Sequence, residues 1–508
     1  ATQGPVVGSR IIRAALVVTF ANILVKALGL VRNQVMGAYF GTSDGTVDCF
    51  LAAYWVVTSI FYVGEECIGP AMLPIFMTRR DKDGPAPAWR LVSTVFNLQF
   101  IALLPIAVAL SLFSADVMQA AVGWGGKAAE VADRNMLGMA SQFLFWMAPA
   151  IFGLSLATVT FITLNAHKKF FWAAFGEGSL RALAIGSIVA FSSKSLLGEW
   201  SLPVGVLAGS VAKILTHLPG LWPEIKRHYK VRIDLGNPDF KRFLILIAPL
   251  LAGSIFAKGR DLFNNVYVIS KANNLAGGIT LNFFGRNLIE TANFLVPYAL
   301  SVGMFPYLCE LADRGETRGI GNLLQSSSRF MVFLFLPVAA VMVVASRPMT
   351  DFLFTFGKLT SQSAGLIGVA TACYALAMPF YGVERVMMKG YLCNRRTLAP
   401  IVIGVITSTL SMIACWLLIV QLGWKDARVL LVVPLATVGA RALKVMILTV
   451  WLRRSIPMFS LGPTAAFLGD LRRSAARETE GQDTEEQTAS RRARHGFRTT
   501  TACFRLPG

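Results

Sequence analysis

Charged side chains interrupt many of the apolar stretches of this 508-residue chain. An ionised side chain in an apolar membrane helix is unfavourable unless it faces water, a ligand or an opposite charge, so each one is a candidate functional residue. Such charges either fasten helices together in pairs or attract a charged ligand. The residues concerned are Lys26, Arg32, Asp48, Glu65, Glu66, Glu177, Arg181, Lys213, Lys258, Arg260, Asp261, Arg286, Glu290, Glu384 and Arg385.

Five cations in the first, seventh and eighth apolar stretches form the predicted binding site. They are Lys26, Arg32, Lys258, Arg260 and Arg286, and they outnumber the acids of those stretches. A water-filled cavity lined by these side chains would be electropositive and would concentrate an anion. Phosphate is the expected anion, because the planar guanidinium group of arginine donates two parallel hydrogen bonds to it.

Five carboxylates are predicted to support this site, namely Asp48, Glu65, Glu66, Asp261 and Glu290. Glu65 and Glu66 are adjacent, so we expect that one is protonated or that one pairs with Lys26 or Arg32. Two simpler interpretations stay open. Asp48 could only cap the start of its helix, and Arg32 could extend to the lipid headgroups.

Other charges point to structural roles or exclude other chemistry. Glu177 and Arg181 are four residues apart, and we interpret them as a salt bridge within one helix. A metal or proton path would need an excess of acids, and the chain has only four His and no Cys/His spacing typical of zinc. We therefore expect no metal and no cofactor. No Walker, HExxH or GxSxG motif lies in a suitable context, so we predict that the chain is not an enzyme.

The composition places these residues in membrane helices. Hydrophobic residues make up 55% of the chain and charged residues 15%, whereas about a quarter of a soluble domain is charged. With about 20 apolar residues per crossing, the chain is predicted to be an all-α polytopic membrane protein with about twelve transmembrane helices. The predicted spans are residues 12–40, 48–77, 92–113, 137–164, 170–192, 201–223, 242–269, 276–309, 327–346, 363–390, 399–421 and 428–452.

Basic residues concentrate in every second loop between these spans. Arg79 and Arg80 follow the second span, and Lys168 and Lys169 follow the fourth. This is the positive-inside pattern, and it predicts that both termini are cytoplasmic. The net charge is +20, but the basic residues are not interleaved with polar and aromatic residues as they are in nucleic-acid-binding proteins. We therefore expect membrane lipids as partners and no nucleic acid.

The chain resembles itself at a regular offset. Three pairs of short segments are similar, and the members of each pair lie about 228 to 232 residues apart. The pairs are Met72–Ile75 with Met304–Tyr307, Arg32-Asn33 with Arg260-Asp261, and Leu164-Asn165 with Leu392–Asn394. A constant offset indicates duplication, here in parallel, and transporters commonly bind substrate between such halves. We predict a six-helix lobe over residues 1–232, a second over residues 233–460, and a disordered cytoplasmic tail over residues 461–508.

Several motifs together resemble one known family. The segment from Lys26 to Asn33, followed by Phe40-Gly41 and Asp48, resembles the first two helices of the MurJ/MviN lipid II flippase family. The order and spacing of the motifs, rather than any single one, make the resemblance specific from about residue 10 to about residue 455. Further matching positions are Glu65, Ala71–Ile75, Leu164-Asn165, Leu218-Pro219 and Leu353–Lys358.

The resemblance implies a fold and a function. It implies the multidrug/oligosaccharidyl-lipid/polysaccharide exporter superfamily, whose two six-helix lobes surround a central cavity, here a cationic one. The family flips lipid II, the undecaprenyl-pyrophosphate-linked peptidoglycan precursor, across the bacterial inner membrane for cell-wall biogenesis. Lys26 falls where the family usually has Arg, and Arg32 falls on a family Arg. When Glu290 is matched to the Glu of the family, Arg286 lies one residue before the position of another Arg in the family's cavity.

The chain also departs from the family pattern. Thr58–Phe61 stands where the family often has a further Arg, and Asn33 stands where Asp is common. Lys258 and Arg260 are expected to supply the missing charge, and a polar tail stands where the family has two more helices. We predict a monomeric lipid II flippase that works by alternating access. The alternatives are a flippase for another polyprenyl-linked glycan, a cation-coupled drug exporter and a membrane scaffold without transport.

Overall fold

The computed structural model describes residues 5–124, 131–193, 195–272, 275–393 and 398–455. The predicted tail over residues 461–508 lies outside these ranges. Within them the secondary structure is helical and includes no strand. The predicted all-α class is therefore confirmed for the part of the chain that the structure describes.

Within the described residues, the first half of the chain forms eight α-helices. Asp83 ends the second of them, and Gly84, at a φ of 86°, turns the chain directly into the third, a backbone angle that glycine adopts without strain. The helices are α1 (Pro5–Phe40), α2 (Thr46–Asp83), α3 (Pro85–Leu112), α4 (Ser114–Ala121), α5 (Val131–Met147), α6 (Ala150–Ala166), α7 (Phe170–Phe191) and α8 (Ser201–His228).

The second half begins with a capped helix. The Asn237 side chain accepts a hydrogen bond from the Asp239 backbone N–H, and Pro238 occupies the first turn, which is a favoured helix start. This helix continues through a π-helical turn (Phe263–Tyr267) into a short α10. The helices are α9 (Pro238–Leu262), α10 (Val268–Ser270), α11 (Gly278–Asp313), α12 (Thr317–Val344), α13 (Ser346–Phe354), α14 (Ser361–Ala375), α15 (Met378–Cys393), α16 (Leu398–Cys415) and α17 (Val429–Ser455).

The helices account for the predicted spans. Within the described ranges, eight helical segments are long and apolar enough to cross a membrane. Two further pairs, α5 with α6 and α14 with α15, bend by 46° and 42° and raise that number to ten if each pair is one span. With 36 residues each, α1 and α11 exceed the length of about 20 residues that one crossing requires. The ten segments, together with α1 and α11, overlap the twelve predicted spans, although α1 and α11 are not among the segments that meet the criteria of length and apolar composition.

The two halves have the same order of elements. In each half a short helix follows the third long helix, and the fourth span is bent. α4 and α13 begin at Ser114 and Ser346, while α6 and α15 begin at Ala150 and Met378. These offsets of 232 and 228 residues fall within the range of the sequence matches. A proline lies at each bend, Pro149 and Pro379, where it removes a backbone hydrogen bond.

Each half packs mainly on itself, with α9 as a bridge. α7 packs closely against both α8 and α1, and α9 contacts α2 of the first half as well as α16 of the second. Gly205 and Gly209 of α8 lie against the backbone of α7, since small residues let membrane helices approach closely. The lobe boundary at residues 232 and 233 falls between α8 and α9, and it stays a prediction.

Candidate functional site

A cavity of about 710 Å³ opens within the first lobe. Its walls are formed by α1, α2, α6, α7 and α8, and no described residue of the second half lines it. It extends from Asn165 and Phe170, beside the basic loop of Lys168 and Lys169, as far as Arg32 and Tyr54. The cavity therefore reaches from the basic side deep into the helix bundle.

Cations dominate the charged residues of this cavity. Lys26, Arg32 and Arg181 line it together with two carboxylates, Glu65 and Glu177. Glu177 forms an ion pair with Lys213 of α8, whose side chain is 1% exposed. Counting Lys213 with its partner, the cavity has a formal excess of two positive charges, so it is suited to an anion of about the same charge.

Arg32 is held by aromatic and polar neighbours. Its guanidinium donates hydrogen bonds to the Tyr54 hydroxyl and to Asn33 Oδ1, both at 3.2 Å. It also stacks over the Tyr54 ring at 5.3 Å and over the Phe283 ring at 5.9 Å. Within the described residues Arg32 forms no ion pair, so its charge is not cancelled by a carboxylate.

The structure corrects the interpretation of Glu177 and Arg181. Glu177 pairs with Lys213 rather than with Arg181, and Arg181 forms no ion pair with any described residue. Lys213 also lies 4.6 Å from the centre of the Phe61 ring. The i,i+4 spacing was a poor guide because α8 brings a closer cation to Glu177.

Lys258 lies on the seam between α2 and α9, outside the cavity lining. Its Nζ is 2.6 Å from Glu66 Oε1, and the Ser254 hydroxyl donates to Glu66 Oε2 at 2.8 Å. Lys258 also lies over the Tyr62 ring at 4.9 Å. Glu66 thus fastens α2 to α9 through Lys258, whereas its neighbour Glu65 interacts electrostatically with Lys26.

Arg260 and Arg286 share a carboxylate. Asp261 lies 2.8 Å from Arg260 Nη2 and 3.4 Å from Arg286 Nη2. Arg286 Nε is also 2.7 Å from Glu290 Oε1, and Arg260 Nη1 donates to Ser408 Oγ at 2.9 Å. Both arginines are therefore neutralised within the second lobe.

The expectation that five cations line one hollow is corrected by these contacts. Of these five cations, only Lys26 and Arg32 are among the described residues that line the cavity. The other three pair with Glu66, Asp261 and Glu290. The second lobe nevertheless approaches the site, since Glu290 interacts electrostatically with Lys26. The substrate-binding role of the predicted residues stays a prediction.

Asp48 joins the two lobes at the end opposite the basic loops. Its carboxylate accepts hydrogen bonds from the Thr280 backbone N–H at 2.8 Å and the Thr280 hydroxyl at 2.5 Å, and from the Ile279 N–H at 3.4 Å. Gly277, which precedes α11, has no side chain to cap it. Asp48 therefore caps α11 of the other lobe, which compensates the unpaired N–H groups of that helix start.

Backbone contacts extend this closure, here called the outer seal and defined by residues 34–48, 277–280 and 353–363. The Lys358 N–H donates to the Ala38 carbonyl at 2.8 Å, and Gln34 Nε2 donates to the Leu353 carbonyl at 2.9 Å. A Cβ on Gly357 would lie 2.4 Å from the Ala38 oxygen, and its φ is 66°. Glycine is thus needed where the lobes meet.

Several charged residues have roles that their sequence context did not reveal. Arg181 was assigned to a salt bridge, although it lines the cavity. Arg441 and Lys444 of α17 were not singled out, yet they lie 3.5 and 2.6 Å from the carboxylate of Glu384. Their position inside a span of apolar residues was the available signal, because a charge there requires a partner.

These features define a class of protein: a two-lobed α-helical membrane transporter with an electropositive cavity. Residues 36–474 match the model of the family described as lipid II flippase MurJ. The chain therefore belongs to this family of bacterial multi-pass inner-membrane proteins, and the resemblance inferred from the motifs is confirmed.

Known proteins support both the family and the fold. The chain is 24% identical over 384 residues to a probable lipid II flippase MurJ of Rhizobium meliloti, covering 74% of this chain and 69% of the relative. It is 24% identical over 404 residues to the lipid II flippase MurJ of Burkholderia cenocepacia, covering 78% and 76%.

Solved structures share the architecture. A lipid II flippase MurJ in an inward closed conformation is similar with a TM-score of 0.71 at 20% identity, covering 89% of both chains. An inward-facing multidrug resistance MATE transporter of the MOP superfamily is similar with a TM-score of 0.69 at 12% identity, covering 85% of this chain and 94% of the other. At these identities the likeness concerns the fold.

Proposed function

We propose that this chain is a lipid II flippase. It moves the undecaprenyl-pyrophosphate-linked peptidoglycan precursor across the bacterial cytoplasmic membrane, with both termini in the cytoplasm, and it acts as a monomer. The supporting observation is the cavity of the first lobe, where Lys26, Arg32 and Arg181 line a hollow that reaches the basic side. The family of the chain supports lipid II as the substrate.

The mechanism requires positioning rather than covalent chemistry. The diphosphate headgroup enters from the cytoplasmic leaflet, and the cations of the cavity replace the water that it loses. The polyprenyl tail stays in the lipid. The outer seal then opens while the basic side closes, so that the headgroup leaves toward the outer leaflet. This exchange is alternating access, in which two arrangements of the lobes expose the same site in turn.

Complementation tests this proposal directly. Wild-type protein, produced in bacteria depleted of their own lipid II flippase, is expected to restore growth. Arg32→Gln should reduce transport at least about tenfold, because it removes a charge-assisted partner of the diphosphate. Arg314→Gln is the matched control, since the Arg314 side chain is 61% exposed and pairs with Glu310 outside the cavity.

The possible outcomes separate the proposal from its rivals. Failure of wild-type protein to restore growth at normal membrane abundance contradicts lipid II as the substrate and favours another polyprenyl-linked glycan. Full growth with Arg32→Gln contradicts the assignment of the cavity. If the chain were a scaffold without transport, each charge change would alter the midpoint of thermal unfolding and leave lipid movement unchanged.

A further inference from the structure

We propose that Arg181 of α7 is a third diphosphate-binding group, and that Gly29 of α1 forms the notch that admits it. The proposal rests on the proposed function and specifies the substrate class of the same cavity. Together with Lys26 and Arg32, Arg181 makes the site selective for a diphosphate over a monophosphate.

Gly29 lies midway between the two cations of α1. It is three residues from Lys26 and three from Arg32, so each is displaced by about 4.5 Å along the helix axis and about 60° around it. The Arg181 guanidinium lies directly over this midpoint. A Cβ on Gly29 would be 2.0 Å from Arg181 Nη1 and 3.2 Å from Cζ. Any larger residue at position 29 would therefore displace the guanidinium.

Arg32 and Arg181 carry guanidinium donors that the described residues do not satisfy. Arg181 and Lys26 repel each other as like charges, and neither Arg32 nor Arg181 forms an ion pair within the described residues, although Glu177 attracts Arg181 electrostatically. The Nε atoms of both arginines are buried and make no hydrogen bond. Buried donors without acceptors and repulsion between like charges are unfavourable at membrane depth. Both features are relieved when an anion with several oxygen atoms binds between the guanidinium groups.

The number of phosphate oxygens, rather than the charge alone, indicates a diphosphate. A diphosphate linked at both ends carries two negative charges; a lipid monophosphate carries nearly as much charge but offers fewer oxygens to share among three cations. The cavity has a formal excess of two positive charges when Lys213 is counted with Glu177.

Binding measurements on purified full-length protein in detergent test the proposal. The probes are undecaprenyl diphosphate and undecaprenyl monophosphate. Arg181→Gln should weaken diphosphate binding about 10- to 100-fold, the effect of losing a hydrogen bond between charged groups, and should change monophosphate binding much less. The diphosphate affinity of Arg181→Lys should lie between those of the wild type and Arg181→Gln. Gly29→Ala should reproduce the loss, whereas Gly186→Ala on α7, which has no atom within 4 Å of its added Cβ, should bind as wild type.

Thermal unfolding without ligand separates binding from structure. If Arg181 is held only for a substrate, Arg181→Gln relieves repulsion, and the midpoint should stay equal or rise. A lower midpoint together with unchanged diphosphate affinity would overturn the proposal and assign Arg181 a structural role. Equal weakening of the diphosphate and the monophosphate would overturn the selectivity.

Failure of this inference is distinguishable from failure of the proposed function. In the complementation assay, loss of transport with Arg32→Gln and wild-type transport with Arg181→Gln would refute only the role of Arg181. No rescue by the wild-type chain would refute lipid II transport itself, whatever the effect of Arg181→Gln on binding.

Discussion

Lys213 shows how a single charged residue is accommodated inside the first lobe. Its side chain is 1% exposed, pairs with Glu177 and lies against the Phe61 ring. His217, one turn further along α8, is also buried, and its Nδ1 is 2.7 Å from the Thr160 hydroxyl. These polar residues lie behind the cavity wall formed by Glu177, so they fix the position of that carboxylate.

Removal of one partner of this ion pair is expected to destabilise the protein. Lys213→Met leaves Glu177 without its counter-charge, and breaking a buried pair in this way costs about 3 kcal/mol. The measurement is the midpoint of thermal unfolding in detergent. The double variant Lys213→Met/Glu177→Leu should recover most of the loss, because an apolar pair of similar volume replaces the charges. If the losses of stability caused by Lys213→Met and by Glu177→Leu simply added in the double variant, the two residues would not be coupled.

The pairing at this site could not be predicted from the sequence. Spacing along one helix identifies Arg181 as a candidate partner of Glu177, yet the partner comes from α8. The faces of α7 and α8 that meet are set by close packing at small residues such as Gly205 and Gly209. Spacing along a single helix does not reveal this packing. For the same reason the sequence did not reveal that Glu66 pairs with Lys258, whereas Lys26 and Arg32 do line the cavity.

At the scale of elements, α11 depends on α2 for its start. Asp48, in the first turn of α2, caps the first turn of α11. Each helix start has N–H groups that need acceptors, and here the acceptor belongs to the other lobe. The contact therefore stabilises the helix and holds the lobes together at the same time.

Loss of this cap should loosen the outer seal. Asp48→Ala removes hydrogen bonds to a charged group, and a loss of about 1.5 kcal/mol raises the open population about tenfold. Cys49 reports the opening, because it is fully buried beside Asp48. Its alkylation rate, read from the modified peptide by mass spectrometry, should rise. Asp44→Ala is the control, since Asp44 accepts a hydrogen bond from Ser43 in the same exposed loop. An equal rise of the Cys49 alkylation rate in this control would contradict a specific cap.

Long elements were predictable, while short ones and bends were not. Apolar length and basic loops fixed the twelve spans, since membrane crossing sets a minimum length. The short helices α4 and α13 were missed because eight and nine residues are too few for a span. The bends were missed because proline alone does not reveal whether a membrane helix continues.

At the scale of the whole molecule, the lobes are closed on one side. The outer seal joins α1 and α2 to α11 and to the segment between α13 and α14, and the cavity lies on the other side of it. The predicted all-α membrane fold of two six-helix lobes is confirmed, whereas the lobe boundaries and the parallel repeat that the motifs indicate stay predictions. The relative tilt of the lobes could not be predicted, because it depends on contacts between halves that have no regular spacing in the sequence.

A cross-link across the outer seal should stop transport. The Thr42 and Ser363 hydroxyl oxygens are 2.9 Å apart, so cysteines at both positions bring their sulfur atoms close to bonding distance. Under oxidising conditions, Thr42→Cys/Ser363→Cys is expected to lose transport and to regain it after reduction. Each single cysteine variant should be insensitive to the oxidant. Undiminished transport by a fully cross-linked protein would exclude opening at this seal.

The buried ion pair also constrains how the chain enters the membrane. A lone lysine at the centre of a helix costs about 2.5 to 3.5 kcal/mol during insertion by the translocon, and Lys213 has no route to the surface once α8 is packed. Glu177 on the preceding helix can neutralise it only if both helices are present. We therefore expect α7 and α8 to leave the translocon as one hairpin, so that biogenesis of the first lobe proceeds by pairs rather than helix by helix.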